Sequence, residues 1–139
     1  MQKFVFLEHT ADAKFRAFGK TIEECFANSA LAMNSVECNT KKVSAKQKLS
    51  MEISAPNPEE LLHKFLEETL FQMETKEMLF SKFKIKISKE QTSLKAELFG
   101  EPIDKKKHEL KTLIKAVTWN NFYLKKEKGA WIAQAVCDT

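Results

Sequence analysis

The chain has 139 residues, 43% of them hydrophobic and 30% charged, with three glycines and three prolines. That composition excludes a disordered tail and fits one globular domain, residues 1–139, able to bury about two thirds of its unfolded surface. No apolar run approaches the ~18 residues of a membrane span, and the opening MQKFVFLEHTADAK lacks the long apolar region of an export signal, so a cytoplasmic protein without membrane contact is expected.

In chain order, Phe4 to Leu7 is a continuous apolar run, and Lys14 to Phe18 alternates, with Phe15 and Ala17 on one face. These predict two paired strands. The polar connection Glu8-His9-Thr10-Ala11-Asp12 between them is a place where chemistry can be displayed on a rigid base. Thr21 and Glu24 form a capping box, and Ile22, Cys25, Phe26, Ser29, Ala30 and Met33 recur at steps of three and four, so an amphipathic helix follows. Gln47 to Ser54 alternates again and predicts a strand wet on one face.

Asn57-Pro58-Glu59-Glu60 marks a second helix start, because Asn accepts the free amides, Pro suits the first turn and the glutamates favour the positive dipole end. This helix runs to about Thr75 with a broad stripe of Leu61, Leu62, Phe65, Leu66, Thr69, Leu70 and Met73. His63 falls just off that stripe and is expected on the helix surface. Beyond Glu77 the period becomes that of strands: Phe83, Ile85 and Ile87 alternate with lysines, then Leu94, Ala96 and Leu98 with Lys95, Glu97 and Phe99, around a turn at Lys89 to Thr92. A polar loop from Gly100 to Lys111 precedes short runs at Ile114 to Thr118 and Phe122 to Leu124, a turn at Lys128-Gly129, and a closing strand from Trp131 to Asp138. Hairpin spacing and two helices predict an α+β single domain, a mostly antiparallel sheet with two helices packed on it.

The charge of +4 is uneven: residues 1–76 hold 10 basic and 11 acidic groups (−1), and residues 77–139 hold 13 and 8 (+5), so the C-terminal half is the candidate face for an anionic partner. Cys25, Cys38 and Cys137 are odd in number and lack CxxC spacing, which points to reduced, buried thiols instead of disulfides or a zinc site. A nucleotide-binding glycine loop cannot be written with three glycines, and no nucleophile elbow, HExxH helix or RNA-binding aromatic pair is present.

Candidate chemistry is therefore confined to His9 and Asp12, His108 and Glu109, and Asp138. Asp138 stands one residue from the end of the sequence, on the same strand face as Gln134 and Val136. Carboxyl oxygens brought together repel unless a hard cation neutralises them, and Ca²⁺ or Mg²⁺ takes such ligands. Asp12 completes the group if the first and last strands are neighbours. From the residues alone, the stronger reading takes Asp12 as a turn residue and Asp138 as part of a frayed tail.

Phe6-Leu7-Glu8-His9-Thr10-Ala11-Asp12 resembles the opening signature of the archease family, and Ala17-Phe18-Gly19-Lys20-Thr21-Ile22-Glu23-Glu24 continues it. Leu79 to Phe83, His108-Glu109-Leu110-Lys111-Thr112, Ile114-Lys115-Ala116-Val117-Thr118 and the ending Cys137-Asp138-Thr139 extend the likeness over essentially the whole chain. Departures are Ala13-Lys14 for the usual Ile-Gly, Trp119-Asn120 for a common Tyr-His, and Thr139 for a hydrophobic last residue. The resemblance implies a non-enzymatic accessory protein that activates an RtcB-type RNA ligase in tRNA splicing, promoting its GTP-dependent guanylylation and multiple turnover. It implies a divalent cation, calcium in that family, held by Asp12, Asp138 and the main-chain oxygen of Thr139. It also implies partner contacts at His9 and Lys115, with RNA reached through the ligase. Two alternatives stand beside it: a stand-alone RNA-binding module using the lysine-faced strands (Lys82, Lys84, Lys86, Lys95), and a metal-dependent hydrolase built on His9, Asp12 and Asp138.

Overall fold

The apolar run at the start of the chain becomes strand β1 (Phe4–Leu7), which pairs antiparallel with β2 (Ala13–Gly19). The computed structural model describes residues 2–8 and 12–139. Alternation along β2 buries Phe15 and Ala17 completely, as the period-two pattern requires. Helix α1 (Ile22–Glu37) starts where Thr21 Oγ1 accepts the Glu24 N–H at 3.1 Å. Its stripe packs against β2 on one side and against a later strand on the other.

After a short 3-10 helix (Thr40–Lys42) come β3 (Gln47–Ser54) and helix α2 (Pro58–Lys76), whose cap Asn57 accepts the Glu60 N–H at 2.9 Å. A hairpin of β4 (Met78–Ile87) and β5 (Ser93–Pro102) follows, then β6 (Ala116–Val117), β7 (Tyr123–Glu127) and β8 (Ala130–Asp138). The Lys128-Gly129 turn has positive φ at both residues (51° and 76°), the geometry that matches the twist of a tight hairpin.

The fold class is the expected α+β, and the strands divide between two antiparallel sheets. One runs β1-β2-β8-β6 with β7 also paired to β8, and the other runs β3-β5-β4. Helix α1 lies between them, in contact with β2 and β4, so one core spans both sheets, with Phe26 and Phe65 stacked across the two helices at 6.1 Å. A register shift between Phe80 and Lys82 bends β4, and the buried Asn34 side chain accepts the Phe80 N–H there at 2.9 Å. Opposite the bend only glycine fits: a Cβ on Gly100 would lie 1.8 Å from the Leu79 carbonyl oxygen.

Candidate metal and partner site

The two strands that carry the candidate acids are direct neighbours. Strand β2 pairs with β8 in a register that ends at Ala13 opposite Cys137. One step further along the same strands stand Asp12 and Asp138. Strand neighbours stand about 5 Å apart, so the ends of β2 and β8 bring the two acids to the same end of the five-stranded sheet. Alternation turns the Cys137 side chain into the core and leaves Asp138 exposed. Burial pushes the Cys137 thiol up to about 12, and the charges of Glu37 and Asp12 push the same way, so this thiol is inert at neutral pH. Cys25 and Cys38 are likewise buried and raised, to about 12 and about 11.

Lys115 and Thr139 meet the same end of the sheet. Ala116 pairs with Asp138, and the Lys115 N–H donates to the Asp138 carbonyl oxygen at 2.7 Å. Both Lys115 and Thr139 line a cavity of about 730 Å³ closed by the ends of α1 and α2 and by residues 112–115. Of the expected site residues, Asp12, Asp138, Thr139 and Lys115 are thus gathered at one end of the molecule. His9 lies outside the described residues. Among the described residues, no group of three or more His, Cys, Asp or Glu side chains is arranged to hold an ion. The donor set that fits a hard divalent cation is two carboxylates completed by main-chain oxygen, which is the chemistry such ions prefer.

The loop that presents Lys115 is pinned by a polar network. His108 is fully buried, its Nδ1 accepts the Asp104 N–H at 2.9 Å, and its Nε2 lies 2.8 Å from Glu101 Oε2. A ring nitrogen that accepts carries no proton, so the partners place the proton on Nε2, which donates to the carboxylate. The pair is a charge-assisted hydrogen bond from the His108 Nε2–H to the Glu101 carboxylate. The same Glu101 oxygen accepts from Ser44 N–H at 2.9 Å and pairs with Lys107 Nζ at 2.7 Å. The bonds from His108, Lys107 and Ser44 hold the Glu101 carboxyl down at about 2. Glu109 ties the loop to Asn39 and Lys42 at 2.8 and 3.0 Å, and those bonds lower its carboxyl as well. His108 and Glu109 therefore fasten the loop instead of acting on a substrate.

Several residues fall elsewhere than expected. His63 is buried at 1% exposure, not on the helix surface, because the 118–122 segment folds over this flank of α2. Its ring stacks on Trp119 at 3.7 Å, with Nε2 donating to the Thr118 carbonyl at 3.1 Å and Nδ1 3.2 Å from Glu67. Lys82, Lys84, Lys86 and Lys95 do share the outer face of β4 and β5, but Glu97 and Glu52 interleave them. Glu97 pairs with Lys48 at 3.2 Å and Glu52 with Lys95 at 3.7 Å, while Lys82 and Lys84 lie over the Phe99 ring at 5.4 and 5.6 Å. Glu37 was missed altogether, although it follows Met33 by four residues on the buried stripe of α1 and that spacing could have flagged it.

Comparison with known proteins places these features in context. The profile of the Archease protein family matches residues 4–139. The chain is 42% identical to a protein archease of Methanosarcina mazei over 99% of this chain and 96% of that one. It is 36% identical to a protein archease of Sulfurisphaera tokodaii over 99% of each. The solution structure of Methanobacterium thermoautotrophicum protein 1598 superposes with a TM-score of 0.89 at 38% identity, covering 100% of both chains. A crystal structure from Thermotoga maritima, described as an archease and possible chaperone, shares the fold with a TM-score of 0.68 at 19% identity, over 96% of this chain and 94% of that one.

Proposed function

Because this chain belongs to the archease family, we propose that it is a non-enzymatic accessory protein of the cytoplasm that activates an RtcB-type RNA ligase in tRNA splicing, promoting the ligase's GTP-dependent guanylylation and its multiple turnover. The observation that carries this reading is the β2–β8 register, which ends one step short of Asp12 and Asp138. That register places two acids at the same end of neighbouring strands, Asp138 exposed and Asp12 half-buried, where a cation could reach both.

In this reading Asp12, Asp138 and the main-chain oxygen of Thr139 hold a divalent cation, for which calcium is the family's expectation. Bound there, the ion would neutralise two adjacent carboxylates and present positive charge to a polar or anionic surface. Lys115 stands on the neighbouring strand edge and contacts the ligase, with Leu113 exposed two residues before it. By the family resemblance, His9 belongs to the same contact. RNA is reached through the ligase. The accessory protein shifts the ligase toward a conformation competent for nucleotide transfer, which requires that it bind that conformation more tightly than the resting one.

The test is purified ligase with GTP and RNA ends of the spliced type, assayed with wild-type protein and with Asp138→Ala. Multiple turnover with the wild type and single turnover with the variant is the expected result. Equal turnover with both would end this reading. Calorimetric titration of the two proteins with calcium chloride separates loss of the ion from loss of the partner.

A further inference from the structure

The cavity beside the candidate site contains a buried group that the fold leaves incompletely satisfied. Glu37 is only 6% exposed and lines the cavity with Met73, Ile103, Ile114 and Lys115. Its Oε2 accepts the Ile114 N–H at 3.0 Å, and its Oε1 has no hydrogen-bond partner among the described residues. A carboxylate oxygen taken out of water without a donor is costly, and native structures rarely leave one so. Burial, and after it the charge of Glu74, pushes the Glu37 carboxyl above its usual range.

The surrounding charges make the gap larger. Glu74 and Glu77 also line the cavity, and both sit at the C-terminal end of α2. That end of a helix carries partial negative charge, so acids there weaken the helix where a basic residue would support it. Lys76 alone in the last turn is basic. Three glutamates therefore face one lysine, Lys115, around an apolar floor, and neither helix stability nor core packing accounts for the arrangement.

We propose that this cavity receives an arginine side chain of the protein partner. Met73, Ile103 and Ile114 take its aliphatic stem, the guanidinium donates to Glu37 Oε1, and Glu74 and Glu77 hold it from the rim. Arginine suits the position better than lysine, because its planar group offers five donors in fixed directions and is more weakly hydrated, so entering a half-buried acidic pocket costs it less. Leu113, 71% exposed at the cavity mouth, supplies the apolar contact that flanks such an anchor. The identity of the partner rests on the ligase reading above; the chemistry of the anchor does not.

Binding of purified RtcB-type ligase to wild type, Glu74→Lys and Glu37→Gln measures the proposal, with circular dichroism of each variant to verify folding. Glu74 is exposed, so Glu74→Lys keeps the fold while reversing the charge at the rim. The expected result is at least a tenfold loss of affinity for Glu74→Lys and a smaller loss for Glu37→Gln. Binding by both variants within twofold of the wild type overturns the arginine anchor and leaves the ligase reading standing. If the wild type does not bind the ligase at all, the ligase reading fails instead. The cavity is then judged by titrating N-acetyl-arginine amide while recording the methyl resonances of Leu113 and Ile103. Saturable shifts in the wild type that vanish in Glu37→Gln support the site, and no saturable shift removes it.

Discussion

Replacing Glu101 with Gln removes one negative charge from the network that anchors the 103–115 loop. The Glu101 carboxyl is lowered from 4.5 to about 2, and at about 1.4 kcal/mol per pKa unit that corresponds to about 3 kcal/mol of stability. Lys107 contributes part of the shift, and its side chain is 39% exposed, so solvent screens its share and about 2 kcal/mol is the better expectation. A carboxylate held below its unfolded value gives its full contribution above the unfolded pKa and loses it as pH falls through the folded one. The window here runs from 4.5 down to about 2. Urea denaturation of wild type and Glu101→Gln should therefore differ by about 2 kcal/mol at pH 7, or on the order of 8 °C in thermal midpoint for a chain of this size. The difference should shrink by about half between pH 5 and pH 3. A gap below about 0.5 kcal/mol at pH 7, or one that does not change with pH, would refute the assignment of the network as a charge-assisted anchor.

Two other changes probe the frame and the site. Gly100→Ala places a methyl 1.8 Å from the Leu79 carbonyl oxygen, which is backbone and cannot swing aside, so a loss of about 3 kcal/mol or more in denaturant stability is expected; a loss under about 1 kcal/mol would mean that the bend of β4 relaxes freely. Lys14 stands opposite Val136, diagonal to Asp138, with Cβ atoms about 7 Å apart in such a pair, so its positive charge stands on the same sheet face as the candidate cation ligand. Lys14→Ala should tighten calcium binding by roughly two- to fivefold at physiological salt, read by calorimetry, and unchanged or weaker binding would show that Lys14 does not act on that site.

Much of this protein was legible in the sequence because period and capping are local. The strand bounds of β1 and β3, the Thr21 and Asn57 caps and the Lys128-Gly129 turn all follow from neighbours within a few residues. The sites where reading failed are those where a distant segment covers a local surface. His63 reads as exposed on its own helix and is buried by Trp119 and Phe122, more than fifty residues away along the chain. Glu101 has the outward parity of Lys95, Glu97 and Phe99, yet it is buried because the bend at Phe80 and the loop carrying His108 close over it.

The candidate site divides along the same line. Residue types alone supplied two acids, one near each end of the chain, and a likeness supplied the idea that they belong together. Which strands pair, and in what register, depends on long-range burial that no local pattern encodes. Strand β8 pairs with β2 because the apolar faces of both must be covered by α1, and that pairing puts Asp12 and Asp138 each one residue beyond its last pair. The incompletely satisfied oxygen of Glu37 belongs to the tertiary structure alone, since it exists only where the ends of two helices and a returning loop border a cavity.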